Sequence, residues 1–142
     1  MLSVVSVADR TGFHTLASAL RESDHISVLE GTGPFTLFAP TDAAFKRFSP
    51  SVLARVMKDR ELLHQVLGYH FAAGRVAMAR FEGKRIRAVM RAGGDVIIDG
   101  KAGVRVNAAR VVKPDLNAGN GVVHGIDGVL LPRELAAAMG AA

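Results

Sequence analysis

Cysteine and tryptophan are both absent from this chain of 142 residues, and tyrosine occurs once. The first absence excludes a disulfide framework, a thiolate nucleophile and any zinc site built on cysteine. It leaves the compartment open, because a cysteine-free chain is stable on either side of a membrane. The scarcity of tyrosine and tryptophan weakens a nucleic-acid reading, since stacking platforms need aromatic rings and none is interleaved in the basic stretch at 84–91. No apolar run approaches the ~20 residues of a membrane-spanning helix, so no transmembrane segment is expected. The first ten residues lack a basic start followed by a long apolar stretch, so the sequence as given carries no expected signal peptide.

What is present is ordinary globular usage, 49% hydrophobic and 22% charged, which excludes a disordered chain. The length suits one domain, expected over 1–142. The net charge of +5 is unevenly placed. Residues 75–113 hold ten Lys and Arg against three acidic residues, while the rest of the chain holds eight against ten. The excess positive charge therefore belongs to one central stretch, which invites an anionic partner.

Periodicity divides the chain in two. In 3–23, Val4, Val7, Ala8, Phe13, Leu16, Ala17 and Leu20 recur at three and four, the stripe of an amphipathic helix broken at Gly12 and restarted at Phe13. Residues 24–31 read as a short helix with Asp24 as its cap and Gly31 as its stop. A buried strand is expected from Phe35 to Ala39, closed by Pro40, with Thr41 and Asp42 opening the next helix. Ser49-Pro50 starts another, and Asp59 opens the one whose buried stripe is Leu62, Leu63, Val66 and Leu67. From Tyr69 onward the period falls to two. Strands are expected at Tyr69–Ala72, Val76–Phe81, Arg85–Arg91, Val96–Asp99, Val104–Val106, Ala109–Lys113, Val122–Ile126 and Val129–Leu131, most of them separated by Gly-containing turns. Helices first and strands later predict an α+β domain with an antiparallel or mixed sheet.

Alternation over 84–91 places Ile86, Ala88 and Met90 on one face and Arg85, Arg87, Val89 and Arg91 on the other. Arg105 stands outward between Val104 and Val106 in the same way. Two readings of Arg85, Arg87, Arg91 and Arg105 follow. One is a solvated sheet surface that discourages edge pairing. The other is a basic face, within residues 84–110, that binds a polyanion such as an anionic polysaccharide or a lipid surface.

A catalytic constellation is not visible. There is no H-E-x-x-H, no acidic calcium loop, no serine in a G-x-S-x-G elbow, and no phosphate or dinucleotide loop. No catalytic, metal or cofactor-binding residue is therefore assigned. His14 and His25 read most simply as surface residues, and His64 and His70, six apart, do not share a helix face. His70 stands at a helix-to-strand change and His124 inside an apolar strand. Both are expected in the core, where an imidazole must find partners or stay neutral.

Three segments carry a family resemblance. Phe35-Thr36-Leu37-Phe38-Ala39-Pro40-Thr41-Asp42-Ala43-Ala44-Phe45 resembles the first signature of the fasciclin-like domain family. Leu67-Gly68-Tyr69-His70-Phe71, followed by Gly74-Arg75-Val76, resembles its central Tyr-His segment. Asn120-Gly121-Val122-Val123-His124-Gly125-Ile126-Asp127-Gly128-Val129-Leu130-Leu131-Pro132 resembles its second signature. All three occur in family order and spacing, across about 3–132, leaving 133–142 as a short C-terminal tail. Gly125 departs from the pattern, which favours a β-branched or other apolar residue after the histidine.

The resemblance implies a helical layer packed on a wedge of two small β-sheets. It gives Thr41, Asp42, His70, Asn120, Gly121, His124 and Asp127 structural roles in caps, turns and the core. It implies a non-enzymatic adhesion or protein-interaction module, extracellular or at a cell surface, whose partner is a cell-surface protein or matrix component. In animal relatives an Asp-Ile pair before the second signature and the Tyr-His segment are implicated in integrin recognition. The matching positions are Asp115 and Leu116, with leucine in place of isoleucine, and Tyr69 and His70. The bland alternative is a turn in which Asp115 caps backbone amides and Leu116 fills a core edge.

Overall fold

A chain that begins with a 3.6-residue stripe and ends with two-residue alternation must lay its helices on a sheet to bury both patterns. The computed structural model describes residues 2–47 and 50–131. The first stripe forms α1 (Val4–Arg10) and α2 (His14–Arg21), with Gly12 between them at φ +102°. Ser3 caps α1 by accepting the Ser6 N–H. α3 (Ile26–Leu29) follows, starting at His25 rather than Asp24; the Ser23 hydroxyl accepts the His25 N–H, so Asp24 is not the cap. β1 (Phe35–Pro40) leads to α4 (Asp42–Arg47), α5 (Pro50–Lys58) and α6 (Arg60–Gly68), the last capped by the Asp59 carboxylate on the N–H groups of Glu61 and Leu62.

The second half supplies β2 (Phe71–Ala73), β3 (Arg85–Val89), β4 (Asp95–Asp99), β5 (Arg105–Val106), β6 (Ala109–Ala118) and β7 (Gly121–Ile126). The strand order is β2-β1-β7-β6-β5-β4-β3, with β1 and β7 parallel and every other pair antiparallel. β6 joins the two limbs of the wedge: Ala109 and Arg110 pair with β5, whereas Val111 to Ala118 pair with β7. It bends between them, with register shifts at Val111/Lys113 and Lys113/Leu116 and Asp115 at φ +57°. Such bulges let a strand turn a corner and let it hold Pro114, which has no N–H for a ladder.

Two cores result. Val4, Val5, Phe13, Leu16, Leu20, Leu37, Phe71 and Val123 fill the space between helices and sheet. Phe38, Tyr69, Met78, Phe81, Met90, Ile98, Val106 and Ile126 fill the wedge between the limbs. Gly121 and Gly125 are contact points. A Cβ on Gly121 would lie 2.1 Å from the Phe35 carbonyl oxygen, so glycine lets β7 start beside β1. A Cβ on Gly125 would lie 2.3 Å from Phe13 Cζ. The Phe13 ring thus occupies the volume that a side chain at position 125 would claim.

Two expected strands are absent from the described residues. Residues 76–81 form a loop and a 3-10 turn, Met78–Arg80. Their backbone is satisfied by side chains instead of a ladder: the Val76 N–H donates to Thr36 Oγ1 at 3.0 Å, the Met78 N–H to Asp115 Oδ1 at 2.8 Å, and the Val76 carbonyl accepts from His124. Residues 129–131 likewise belong to no strand, and the Leu130 N–H goes to His70. The tail at 133–142 lies outside the described residues.

Candidate functional site: the signature segments and the basic sheet face

α6 ends where Tyr69 and His70 turn the chain into β2. His70 is fully buried, and its ring is bonded at both nitrogens. Nδ1–H donates to the Val66 carbonyl at 2.7 Å, because a carbonyl can only accept, and Nε2 accepts the Leu130 N–H at 2.9 Å. This fixes one neutral tautomer. Burial is the main cause that lowers the His70 pKa to about 4, against the smaller upward pull of the Val66 bond. Tyr69 is 4% exposed, and its hydroxyl donates to the Asp95 carbonyl. The two residues of the Tyr-His segment therefore face the interior.

His124 is a second doubly bonded imidazole. Its Nε2–H donates to the Val76 carbonyl at 2.8 Å, and its Nδ1 accepts the Asp115 N–H at 3.0 Å. Burial pushes its pKa down, with the Val76 bond and the Asp115 carboxylate pulling the other way. In this arrangement neither His70 nor His124 has a ring nitrogen open to a proton, a substrate or a metal. Among the described residues, no three His, Asp or Glu side chains converge as a metal site.

Asp115 uses its left-handed backbone to aim its N–H at His124 and its carboxylate at the Met78 N–H. The side chain nonetheless stays 47% exposed. Leu116 is half-buried against the helix-side core. The exposed aliphatic neighbour at this bend is Val112, 48% exposed, followed by exposed Lys113 and Pro114.

The remaining signature residues are structural joints. Asn120 is buried: its Oδ1 accepts the Val4 N–H at 2.9 Å and its Nδ2 donates to the carbonyls of Leu29 and Gly31. One amide thus ties the start of α1 and the end of α3 to the turn before β7. Thr41 Oγ1 accepts the Ala44 N–H, the cap expected for α4. Asp42 acts elsewhere, accepting the Thr15 N–H at the start of α2, where Phe13 offers no side-chain cap. Burial alone would raise the Asp42 pKa, but hydrogen bonds from Thr15 and His14 outweigh it and hold the carboxyl low. Asp127 Oδ1 accepts the Arg110 N–H at 2.7 Å, pinning the turn after β7 to β6. Among the described residues, no buried side-chain nitrogen or oxygen lacks a partner.

His25 corrects the expectation of a surface residue. It is 3% exposed, its Nε2 lies 2.8 Å from the His64 carbonyl, and its ring stacks on that of His64 at 3.9 Å. Glycine at 68 allows this approach, since a Cβ there would lie 3.1 Å from His25 Nε2.

The arginines lie on the opposite side of the wedge wall. Register aligns Arg85 with Asp99, Asp99 with Arg105, and Arg105 with Arg110, a row across β3, β4, β5 and β6. Arg87, two residues along β3, is paired with Asp95. Arg91 departs from the expected stripe. It follows β3 in a turn, its N–H donates to the Phe71 carbonyl at 2.8 Å, and it does not belong to the row. Alternation alone does not mark Arg110 as a member, because it reports the face of a residue but not which strands become neighbours.

A helical layer on a two-limbed mixed sheet, with signature histidine and asparagine side chains consumed as internal joints, defines a structural class. The Fasciclin domain family model matches residues 11–132, and the chain belongs to that family. It is 36% identical over 128 residues to the uncharacterized protein sll1735 of Synechocystis, covering 89% of this chain and 94% of that protein. It is 31% identical over 123 residues to the cell surface glycolipoprotein MPB83 of Mycobacterium bovis, covering 83% of this chain and 54% of that protein. The solved FAS1 domain pair from the insect cell adhesion molecule Fasciclin I matches with a TM-score of 0.65 at 19% identity, over 87% of this chain and 46% of the other, a likeness of fold. Among the described residues, no helix is long and apolar enough to cross a membrane.

Proposed function

We propose that this chain is a non-enzymatic adhesion module, working at a cell surface or outside the cell on a surface protein or matrix component. The observation that carries the reading is the direction of the signature side chains. His70, His124, Asn120 and Tyr69 all spend their polar atoms inside the fold, so contact with a partner falls to the exposed residues around them. The descriptions of MPB83 as a cell surface glycolipoprotein and of Fasciclin I as a cell adhesion molecule support the setting.

The contact point in this reading is the bend of β6. The half-exposed Asp115 carboxylate supplies a charge-assisted hydrogen bond and Val112 an apolar anchor beside it. Leu116 belongs to its frame, whereas Tyr69 and His70 are buried elsewhere in the fold. A second reading uses the row of Arg85, Arg105 and Arg110, with Arg87 beside it, for an anionic polysaccharide or lipid surface. The cross-strand alignment of Arg85, Asp99, Arg105 and Arg110 in one row alone favours it.

Adhesion of cells to the immobilised protein, at low and high salt, tests both. Asp115→Asn keeps a hydrogen-bond acceptor for Met78 and a residue type that tolerates the left-handed backbone, while removing the charge. Adhesion should persist at high salt and fall several-fold in this variant. Adhesion that vanishes with salt and ignores Asp115→Asn would overturn the β6 site in favour of the arginine row.

A further inference from the structure

The sheet has an open seam. β2 and β3 are the two ends of the strand order, yet residues of both line one groove, because the sheet curls toward closure. The turn after β3 is tied to β2 by the Arg91 N–H, which donates to the Phe71 carbonyl. The segment 76–81 contributes Val76, Arg80 and Phe81 to the lining. Its backbone is held off any ladder by the Thr36 hydroxyl, the Asp115 carboxylate and the His124 ring. Among the described residues no ladder joins β2 to β3, and a groove of about 330 Å³ lies between them.

The chemistry of that groove is lopsided. Its floor is Phe38, Phe81 and Ile98, buried core side chains, and small residues, Ala72 on β2 and Ala88 on β3, keep the walls apart. The Thr36 hydroxyl is already committed, donating to the Gly74 carbonyl and accepting the Val76 N–H. That leaves Arg80 and Lys84, both exposed on the lining and, among the described residues, without a side-chain hydrogen bond or ion pair. An apolar trough with two unpaired cations complements a molecule that is apolar along its length and anionic at one end. The volume lies at the lower end of the ~300–1,000 Å³ of small-molecule sites, which suits one acyl chain rather than two.

We propose that the seam between β2 and β3 binds a single-chain amphipathic carboxylate, a fatty acid or similar monoacyl anion. Its chain lies over Phe38, Phe81 and Ile98 and its headgroup meets Arg80 and Lys84. Its lining shares no residue with the β6 bend or the arginine row, and the proposal does not depend on the adhesion reading.

Calorimetric titration of the whole chain with sodium decanoate, sodium hexanoate and 1-decanol tests it. Decanoate should bind saturably at one per chain. Hexanoate should bind more than tenfold more weakly, since each buried methylene contributes about fourfold, and decanol should lose the contribution of the cations. The double substitution Arg80→Glu, Lys84→Glu should weaken decanoate at least tenfold with an unchanged urea midpoint. Arg85→Glu with Arg105→Glu, on the outer face, should leave it unchanged. The proposal is overturned if decanoate does not saturate, if it binds Arg80→Glu, Lys84→Glu as it binds the parent, or if the outer-face pair weakens it equally.

Discussion

Inside the fold, His70, His124 and Asn120 each make two or more hydrogen bonds, joining segments far apart in the chain. On the outer wall of the same sheet, Arg85, Arg105 and Arg110 make no side-chain hydrogen bond or ion pair among the described residues. The physical reason is solvation. A buried polar group without a partner costs several kcal/mol, whereas an exposed guanidinium is satisfied by water. The interior is thus constrained in every atom, and the exterior is left available. The residues that make this chain recognisable are the ones least able to touch a partner.

The largest expected effect strikes the interior. Phe38 is 2% exposed, with its ring 5.8 Å from that of His124 and 6.5 Å from that of Phe81. Phe38→Ala should destabilise the fold by about 3–5 kcal/mol in urea titration, through lost burial and the cavity left behind. A loss below about 1 kcal/mol would break the comparison, because it would mean that the wedge collapses around the gap and is not tightly constrained.

Acid should act on the same interior. Burial lowers the His70 pKa to about 4, from an ordinary value near 6.5 in the unfolded chain. Above about pH 6.5 both states are neutral and the full stability is present. Between 6.5 and 4 the unfolded chain takes up a proton that the folded one refuses, so stability falls as pH falls and levels off below 4. The His70 contribution amounts to about 3 kcal/mol. His124 and His25, also held low chiefly by burial, act in the same direction. Urea midpoints from pH 7 to pH 4 measure it, and a flat profile would show that the interior accommodates the charge.

How much of this could be read from the sequence follows the same division. Helix stripes and caps are local, so α1, α2, α6 with its Asp59 cap, and the apolar strand β7 are legible. The loop at 76–81 alternates like a strand and is none, because side chains from Thr36, Asp115 and His124 take its backbone groups. Those donors and acceptors lie about 40 residues away on either side. Leu116 faces inward and Val112 outward because two register shifts in β6 reset the alternation, which period counting does not register. The Tyr-His segment is visible as a motif, but its burial depends on Val66, Leu130 and Asp95 meeting it in three dimensions.

The departure at Gly125 sharpens the comparison at a smaller scale. Phe13, one of the fully buried rings, lies where a side chain at 125 would point. Gly125→Val alone should cost about 1–3 kcal/mol by overpacking. Phe13→Ala alone should also destabilise, by opening a cavity. The double variant should lose less than the two single losses combined, since each change makes room for the other. Additive losses in urea titration would mean that the two sites do not share this volume.

The smallest effect on stability is expected on the arginine row. Replacing Arg85, Arg105 and Arg110 by Glu removes no internal bond, so each should shift stability by no more than about 0.5 kcal/mol. Retention on an immobilised anionic polysaccharide such as heparin is the sensitive readout, because exposed charges are screened beyond ~10 Å at ~0.1 M salt. The parent should elute with rising salt and the triple variant should pass through at low salt. Asp99, the one carboxylate in the row, supplies the converse test. Its Oδ1 accepts the Lys101 N–H, a bond that asparagine can keep, so Asp99→Asn should raise the eluting salt without altering the fold. Retention that ignores both changes would remove this face from any role in binding polyanions.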